Sequence, residues 1–118
     1  MKYRHLGNSG LEVSVIGLGT NNFGGRMEFK EARAVIFSAL EQGINLIDTA
    51  NIYSHGRSEE IIGRALIDRR QESLIATKFG MVWEDGPHGH GGSRKHIMDS
   101  LEGSLRRLQT DHVDLYQM

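Results

Sequence analysis

Short apolar runs alternate with amphipathic, helix-like segments along most of this 118-residue chain. The apolar runs predict strands at residues 15–20, 44–50, 74–78 and 112–118, with a helix between each consecutive pair. Strands that alternate with helices pair in parallel, because each helix carries the chain back before the next strand begins. Two architectures satisfy this order: a doubly wound open sheet and part of a (β/α)8 barrel.

Three amphipathic segments predict the helices. Each carries apolar residues at intervals of three and four, the repeat that places side chains on one face of an α-helix. The predicted inner faces are Ala32, Val35, Ile36, Ala39 and Leu40 in the first helix, Ile62, Ala65 and Leu66 in the second, and Ile97, Leu101, Leu105 and Leu108 in the third. Gly43 is expected to end the first helix, whereas Ser58 and Ser93 are expected to cap the second and third.

Two further segments lie outside this alternation. Residues 2–6 and 11–15 alternate in polarity on either side of a glycine-containing turn and predict a short hairpin. Residues 79–92 form a loop longer than most connections, which favours a functional role. Trp83 in this loop either lines an apolar substrate pocket or packs over the barrel end.

The composition excludes several classes of protein. The net charge of −1 does not supply the excess of Lys and Arg that a nucleic-acid surface needs. The pairs Arg69–Arg70 and Arg106–Arg107 are interpreted as solvated helix faces. The absence of cysteine rules out a disulfide framework, and the sequence shows neither a signal peptide nor an apolar run that could span a membrane. We therefore expect a cytoplasmic protein with no nucleic-acid or membrane partner.

Three polar side chains are predicted to meet at one edge of the sheet. Asp48 and Lys78 end the second and third parallel strands, and Tyr53 lies in the loop after Asp48. Ligands gather at the carboxyl ends of parallel strands in both candidate architectures. A free tyrosine has a pKa of about 10, but a neighbouring ammonium group favours the phenolate, and an aspartate can hold that ammonium in place. Together the three residues could protonate an oxyanion that forms on a carbonyl group.

Each residue also has a purely structural interpretation. Asp48 could cap a turn, Lys78 could be a surface lysine, and Tyr53 could be an amphipathic residue at a helix start. Physical reasoning from the residues leaves the catalytic and structural interpretations both open.

Two further motifs carry weaker signals. His88, His90 and His96 lie close in sequence, but a zinc site requires three or four ligands in fixed geometry, and we predict no metal site. The glycines at positions 17, 19, 24 and 25 do not form the dinucleotide fingerprint of a Rossmann domain.

Four segments carry a family resemblance. They read GLGTNNFGG (17–25), DTANIYSHGRSEEIIGRAL (48–66), LIATKFG (74–80) and SLEGSLRRLQTDHVDLYQM (100–118). In this order they resemble the aldo-keto reductases, most closely the bacterial reductases related to potassium-channel β subunits. The resemblance implies a (β/α)8 barrel and, for this chain, its N-terminal half: one partial barrel domain over residues 1–118 with about four of the eight strands, preceded by a short β-hairpin.

The resemblance also implies an activity and its residues. The activity is the NADP(H)-dependent reduction of an aldehyde or ketone without a metal. Tyr53 resembles the family's proton donor, Lys78 the lysine that makes the phenol more acidic, and Asp48 the acid paired with that lysine. Thr20, Asn21 and Arg26, with Asp48, are the residues that the resemblance assigns to the cofactor side of the site.

One departure from the family pattern affects the expected activity. The family's catalytic histidine stands directly after the segment that ends here at Met118. A half barrel would expose strand edges, so we expect the isolated chain to self-associate or to pair with a complementary half. The alternatives to an active reductase are a binding or regulatory module on the same scaffold, an inactive fragment, and an unrelated phosphate-binding open-sheet protein.

Overall fold

The chain begins with the predicted hairpin. In the computed structural model, which describes residues 1–118, β1 (Tyr3–His5) pairs antiparallel with β2 (Glu12–Ser14). Tyr3 lies opposite Ser14, and the connecting turn spans residues 6–11. The hairpin is fastened to the main body by Ser14 and Asn45, because the Ser14 amide donates to the Asn45 side chain at 2.8 Å.

Four parallel strands form the main sheet. They are β3 (Leu18–Gly19), β4 (Leu46–Asp48), β5 (Leu74–Lys78) and β6 (Leu115–Gln117), and they lie side by side in chain order. A doubly wound sheet reverses its strand order at a switch point, and these four strands show no reversal. The order is that of consecutive units of a (β/α)8 barrel.

Three helices connect the strands. They are α1 (Phe29–Glu41), α2 (Arg57–Ala65) and α3 (Arg94–Leu108), and α2 packs between the other two. Two predicted helix ends are confirmed: Gly43 follows α1 in the left-handed conformation, with φ of 84°, and the Ser93 hydroxyl accepts the His96 amide at 3.1 Å. The prediction for Ser58 is wrong, because α2 begins at Arg57 and Ser58 is buried inside its first turn.

The two faces of the sheet differ in burial. Ile47 and Ile75 point toward the helices and belong to a core with Ile36, Ile62 and Leu108. The opposite face of the sheet carries Asp48 and Lys78. It also carries three leucines that are only partly buried: Leu46, Leu74 and Leu115. The strand predicted at residues 44–50 is therefore covered fully on one side only.

The first parallel strand is shorter than predicted. Only Leu18 and Gly19 pair with β4, while Val15 and Ile16 are 52% and 58% exposed. The sequence predicts a strand over the whole apolar run at residues 15–20. The prediction fails for Val15 and Ile16, which lie outside β3 and pair with no residue of β4.

The inner face of α3 also differs from the prediction. Ile97, Leu101 and Leu105 are only partly buried, and the buried face consists of small and polar residues: His96, Ser100, Gly103 and Ser104, with Leu108. Small side chains allow α3 to approach α2 closely. A Cβ atom placed on Gly63 of α2 would lie 2.5 Å from the backbone oxygen of Arg107. The close approach of the two helix backbones therefore decides which face of α3 is buried. The predicted apolar face, here called the leucine stripe (Ile97, Leu101 and Leu105), does not decide it.

The interpretation of the basic pairs as solvated helix faces is wrong for one residue of each pair. Arg70 donates to Asp114 at 2.8 Å with 13% of its side chain exposed, and it lies in a short 3-10 turn. Arg107 is bound to Glu59, as described below. Each guanidinium has a carboxylate partner brought close by the fold, and sequence spacing does not reveal either partner.

No helix in the structure is both long and apolar enough to cross a membrane. The cytoplasmic location stays a prediction from the sequence.

Candidate active site

Asp48 and Lys78 form an ion pair across the carboxyl ends of neighbouring strands. Lys78 Nζ donates to Oδ1 of Asp48 at 2.8 Å and to Oδ2 at 2.7 Å. Its third hydrogen bond goes to the backbone oxygen of Thr49 at 2.8 Å. The side chains of Asp48 and Lys78 are 39% and 32% exposed, so the pair is fixed in place yet open to solvent at the rim.

Tyr53 lies against this pair. The Lys78 ammonium is 5.2 Å from the centre of the Tyr53 ring. Because all three ammonium protons are donated to Asp48 and Thr49, Lys78 contacts Tyr53 through the ring face rather than through the hydroxyl. The structure therefore brings together the three predicted catalytic residues.

The backbone turns sharply after Tyr53. Ser54 and His55 both adopt the left-handed conformation, with φ of 48° and 49°, and Gly56 follows with φ of 90°. Residues other than glycine disfavour the left-handed conformation, which costs about 1 kcal/mol per residue. Two such residues in succession persist only where the surrounding contacts stabilise them.

A buried chain of hydroxyl groups lies behind Asp48. Ser58 Oγ lies 2.9 Å from the hydroxyls of both Thr49 and Thr20, and Thr20 Oγ1 donates to the backbone oxygen of Asp48 at 2.9 Å. Thr20, Thr49 and Ser58 are each 0% exposed. The network joins the first turn of α2 to the ends of β3 and β4, and so fixes the backbone that carries Asp48.

The other three residues predicted for the cofactor side, besides Asp48, are in different environments. The Thr20 hydroxyl is used within the chain, whereas Asn21 and Arg26 are exposed in the loop after β3. That loop follows a strand that pairs with β4, so it lies on the same edge as Asp48. The assignment of these residues to a cofactor stays a prediction.

Sequence reasoning missed a buried ion pair next to the site. Glu59 is 0% exposed; its Oε2 accepts from Arg107 Nε at 2.7 Å, and its Oε1 accepts from the Thr77 hydroxyl at 2.6 Å. In the sequence, Glu59 stands near the start of the predicted second helix, where an acid also suits the helix dipole. Its position three residues before Ile62 places it on the buried face of α2, and that spacing is the signal that could have identified it.

Tyr116 lies close to this buried charge. Burial raises the pKa of Tyr116 to about 12, and the negative charge of Glu59 contributes in the same direction. The Tyr116 hydroxyl is buried without a hydrogen-bond partner, as is Oε1 of Gln117. Both atoms belong to β6, which has no strand on its outer side.

The loop between β5 and α3 is held by two residues. Trp83 stacks on His55, with ring centres 3.9 Å apart and planes inclined by 9°, and it also lies 4.6 Å from the Arg107 guanidinium. Of the two roles considered for Trp83, the structure shows packing. His96 is 3% exposed; its Nδ1 lies 2.7 Å from the backbone oxygen of His88 and, since a carbonyl only accepts, carries the proton.

The histidines of this loop are not arranged as ligands. His96 is used in a backbone contact and in a 3.2 Å contact with Ser100. No group of three or more His, Cys, Asp or Glu side chains in the structure could hold a metal ion.

Comparison with known proteins places this site in a family. A model of the aldo/keto reductase family matches residues 15–118. The chain belongs to the aldo/keto reductase family. The match includes Asp48, Tyr53 and Lys78 and leaves out only residues 1–14, which contain both strands of the hairpin.

Individual proteins match the whole or nearly the whole length of the chain. It is 42% identical over 120 residues to the uncharacterized oxidoreductase YqkF of Bacillus subtilis (strain 168), covering 100% of this chain and 39% of that protein. It is also 42% identical to a probable voltage-gated potassium channel subunit beta of Oryza sativa subsp. japonica, covering 98% of this chain and 36% of that protein. The chain thus spans about two fifths of the length of these relatives.

A solved member confirms the fold. The holo form of aldo-keto reductase AKR11C1 from Bacillus halodurans superimposes with a TM-score of 0.88 at 44% sequence identity, covering 99% of this chain and 39% of that one. The expectation of a partial (β/α)8 barrel is confirmed, and the open-sheet alternative is excluded.

Proposed function

We propose that this chain supplies the proton-transfer side of a site that reduces an aldehyde or ketone to an alcohol with NADP(H). The observation that carries the proposal is the contact of Lys78 with both Asp48 and Tyr53 at the carboxyl ends of the strands. Lys78 and Asp48 are partly exposed there, so a small carbonyl compound can approach.

Each residue has a distinct role in this proposal. Tyr53 donates its phenolic proton to the carbonyl oxygen as negative charge develops there, and it is left as a phenolate. The positive charge of Lys78 stabilises that phenolate, while Asp48 holds the ammonium group in place beside the ring. Solvent at the open rim then returns a proton to Tyr53.

The chain's residues fit one side of a nicotinamide cofactor. When bound, that cofactor would supply the hydride for the carbonyl carbon. Asn21 and Arg26 would contact it from the loop after β3, since both are exposed. Thr20, whose hydroxyl is bonded to the backbone of Asp48, would hold the start of that loop in place, and Asp48 would border the cofactor through its carboxylate.

A matched pair of tyrosine variants tests the proposal. In the full gene product, Tyr53→Phe should lower the rate of NADPH oxidation with a simple aldehyde by about a hundredfold or more, because the proton donor is lost. Tyr3→Phe is the control, since the Tyr3 hydroxyl contacts only the Gly43 backbone in the hairpin region. Equal rates for Tyr53→Phe and the parent protein would contradict the proposed mechanism.

A second candidate function is a binding or regulatory module with little turnover. It is favoured by the similarity to probable potassium channel β subunits. Tight binding of NADPH without oxidation of NADPH by any aldehyde tested would support this function over the reductase. Turnover that depends on Tyr53 would decide for the reductase.

A further inference from the structure

Trp83 lies outside the cluster of Asp48, Tyr53 and Lys78, yet it contacts the turn that follows Tyr53. Its indole ring stacks on the His55 imidazole at 3.9 Å with a 9° angle between the planes. His55 is one of the two left-handed residues directly after Tyr53, and L-amino acids disfavour that conformation. The stack is therefore a contact able to hold the turn in a conformation that the chain would not adopt by itself.

Trp83 also contacts a residue that is held from the protein interior. The Arg107 guanidinium lies 4.6 Å from the Trp83 ring, and its Nε donates to the fully buried Glu59 at 2.7 Å. Glu59 also accepts from Thr77, the residue before Lys78 in β5. Through Glu59, Arg107 is thus connected to β5, the strand that carries Lys78.

Gly56 shows how closely this support approaches the turn. A Cβ atom placed on Gly56 would lie 2.7 Å from Cδ of Arg107 and 3.3 Å from the Trp83 ring. Gly56 therefore packs directly against Arg107 and Trp83, which leave little space for a side chain at this position.

We propose that Trp83, supported by Arg107 and Glu59, is a positioning residue that fixes the 54–56 turn and thereby the placement of Tyr53 against Lys78. The proposal rests on the proposed function in assigning proton donation to Tyr53. It gives the long loop between β5 and α3 a role in catalysis without any contact between Trp83 and the reacting atoms. Loss of the stack should release the turn and displace the phenol, and small displacements at a reacting centre reduce rates strongly.

Three variants of the full gene product test this role. Trp83→Ala removes the stack, Trp83→Phe retains an aromatic face, and Asp85→Ala is a control in an exposed position of the same loop. Trp83→Ala should lower kcat by about tenfold to a hundredfold with KM for the aldehyde and Kd for NADPH unchanged. Trp83→Phe should restore most of the lost kcat, and Asp85→Ala should leave it at the parent value.

Amide hydrogen exchange gives a readout that does not depend on activity. In Trp83→Ala the amides of residues 53–56 should exchange faster than in the parent, while those of β5 keep their rates. His55→Ala, which removes the other half of the stack, should produce the same local change and provides a second route if Trp83→Ala folds poorly.

The outcomes separate this proposal from the proposed function. Parent-like kcat in Trp83→Ala, together with inactive Tyr53→Phe, would overturn the role of Trp83 and leave the reductase mechanism intact. Equal losses in Trp83→Ala and Trp83→Phe would also overturn it, because an aromatic face would then not matter. If the parent protein reduces no aldehyde, the proposed function fails, and unchanged exchange at residues 53–56 would overturn the positioning role independently.

Discussion

Lys78 donates hydrogen bonds to both carboxylate oxygens of Asp48, at 2.8 and 2.7 Å, and joins residues thirty positions apart in the sequence. Their strands are neighbours in the sheet, and Asp48 pairs with Ala76, two residues before Lys78. Both side chains therefore project from the same face and reach the same edge. The Tyr53 ring, 5.2 Å from the ammonium, completes the group.

Removal of the Lys78 charge should reduce catalysis strongly. We expect Lys78→Met to lower kcat for aldehyde reduction by about 10² to 10⁴, since the phenolate of Tyr53 would lose its neighbouring cation. Lys95→Met is the matched control, because Lys95 forms a similar 2.7 Å pair with Asp99 on the exposed side of α3. Steady-state kinetics on both variants check the prediction, and parent-like kcat in Lys78→Met would contradict it.

Glu59→Gln should destabilise the fold. The substitution leaves the Arg107 guanidinium, which is 18% exposed, without a charged partner, and loss of one partner of a buried ion pair costs about 3 kcal/mol. Glu28→Gln breaks a 2.9 Å pair with Arg57 whose side chains are 65% and 53% exposed, and should change the free energy of unfolding by less than about 1 kcal/mol. Urea denaturation measures both, and similar values for the two variants would show that the buried pair is not stabilising.

Tyr116 should make stability fall at alkaline pH. Its pKa is raised from 10.0 to about 12 in the folded state by burial, so between these pH values the unfolded chain releases a proton that the folded chain retains. The free energy of unfolding should therefore decrease as pH rises from about 10 to about 12. Below a pH of about 10, Tyr116 should not contribute to the pH dependence of stability. Tyr116→Phe should show a shallower decrease in urea denaturation across this window.

Tyr3→Phe is the control for the alkaline prediction, because Tyr3 is 51% exposed. It should retain the pH dependence of the parent. A parent-like slope in Tyr116→Phe would show that another group causes the loss of stability.

We propose that a polypeptide limited to residues 1–118 self-associates or pairs with a complementary half barrel. The outer edges of β3 and β6 are unpaired, and the leucines on the inner face of the sheet are only partly buried. Light scattering after gel filtration should give a mass of twice 13.2 kDa or more. Leu115→Glu should lower that mass by placing a charge on the inner face, and a stable monomer of the unmodified polypeptide would contradict the proposal.

The sequence determined the order of elements and the edge at which the site forms. Alternating apolar and amphipathic segments predicted the four parallel strands and three helices, and Gly43 and Ser93 were correct as helix boundaries. Asp48 and Lys78 were correctly placed together because strand ends in a parallel sheet share one edge. These features depend on local periodicity and on a general rule of topology, and both can be derived from the chain itself.

The tertiary structure alone decided which faces are buried and which charges are paired. The leucine stripe of α3 is only partly buried because the close approach of α2 selects the face of Ser100, Gly103 and Ser104. Arg107 is paired with Glu59 across 48 positions, and Trp83 stacks on His55 from a separate loop. Such contacts form only when helices, strands and loops that are far apart in the sequence pack together. The periodicity within a single segment therefore cannot predict them.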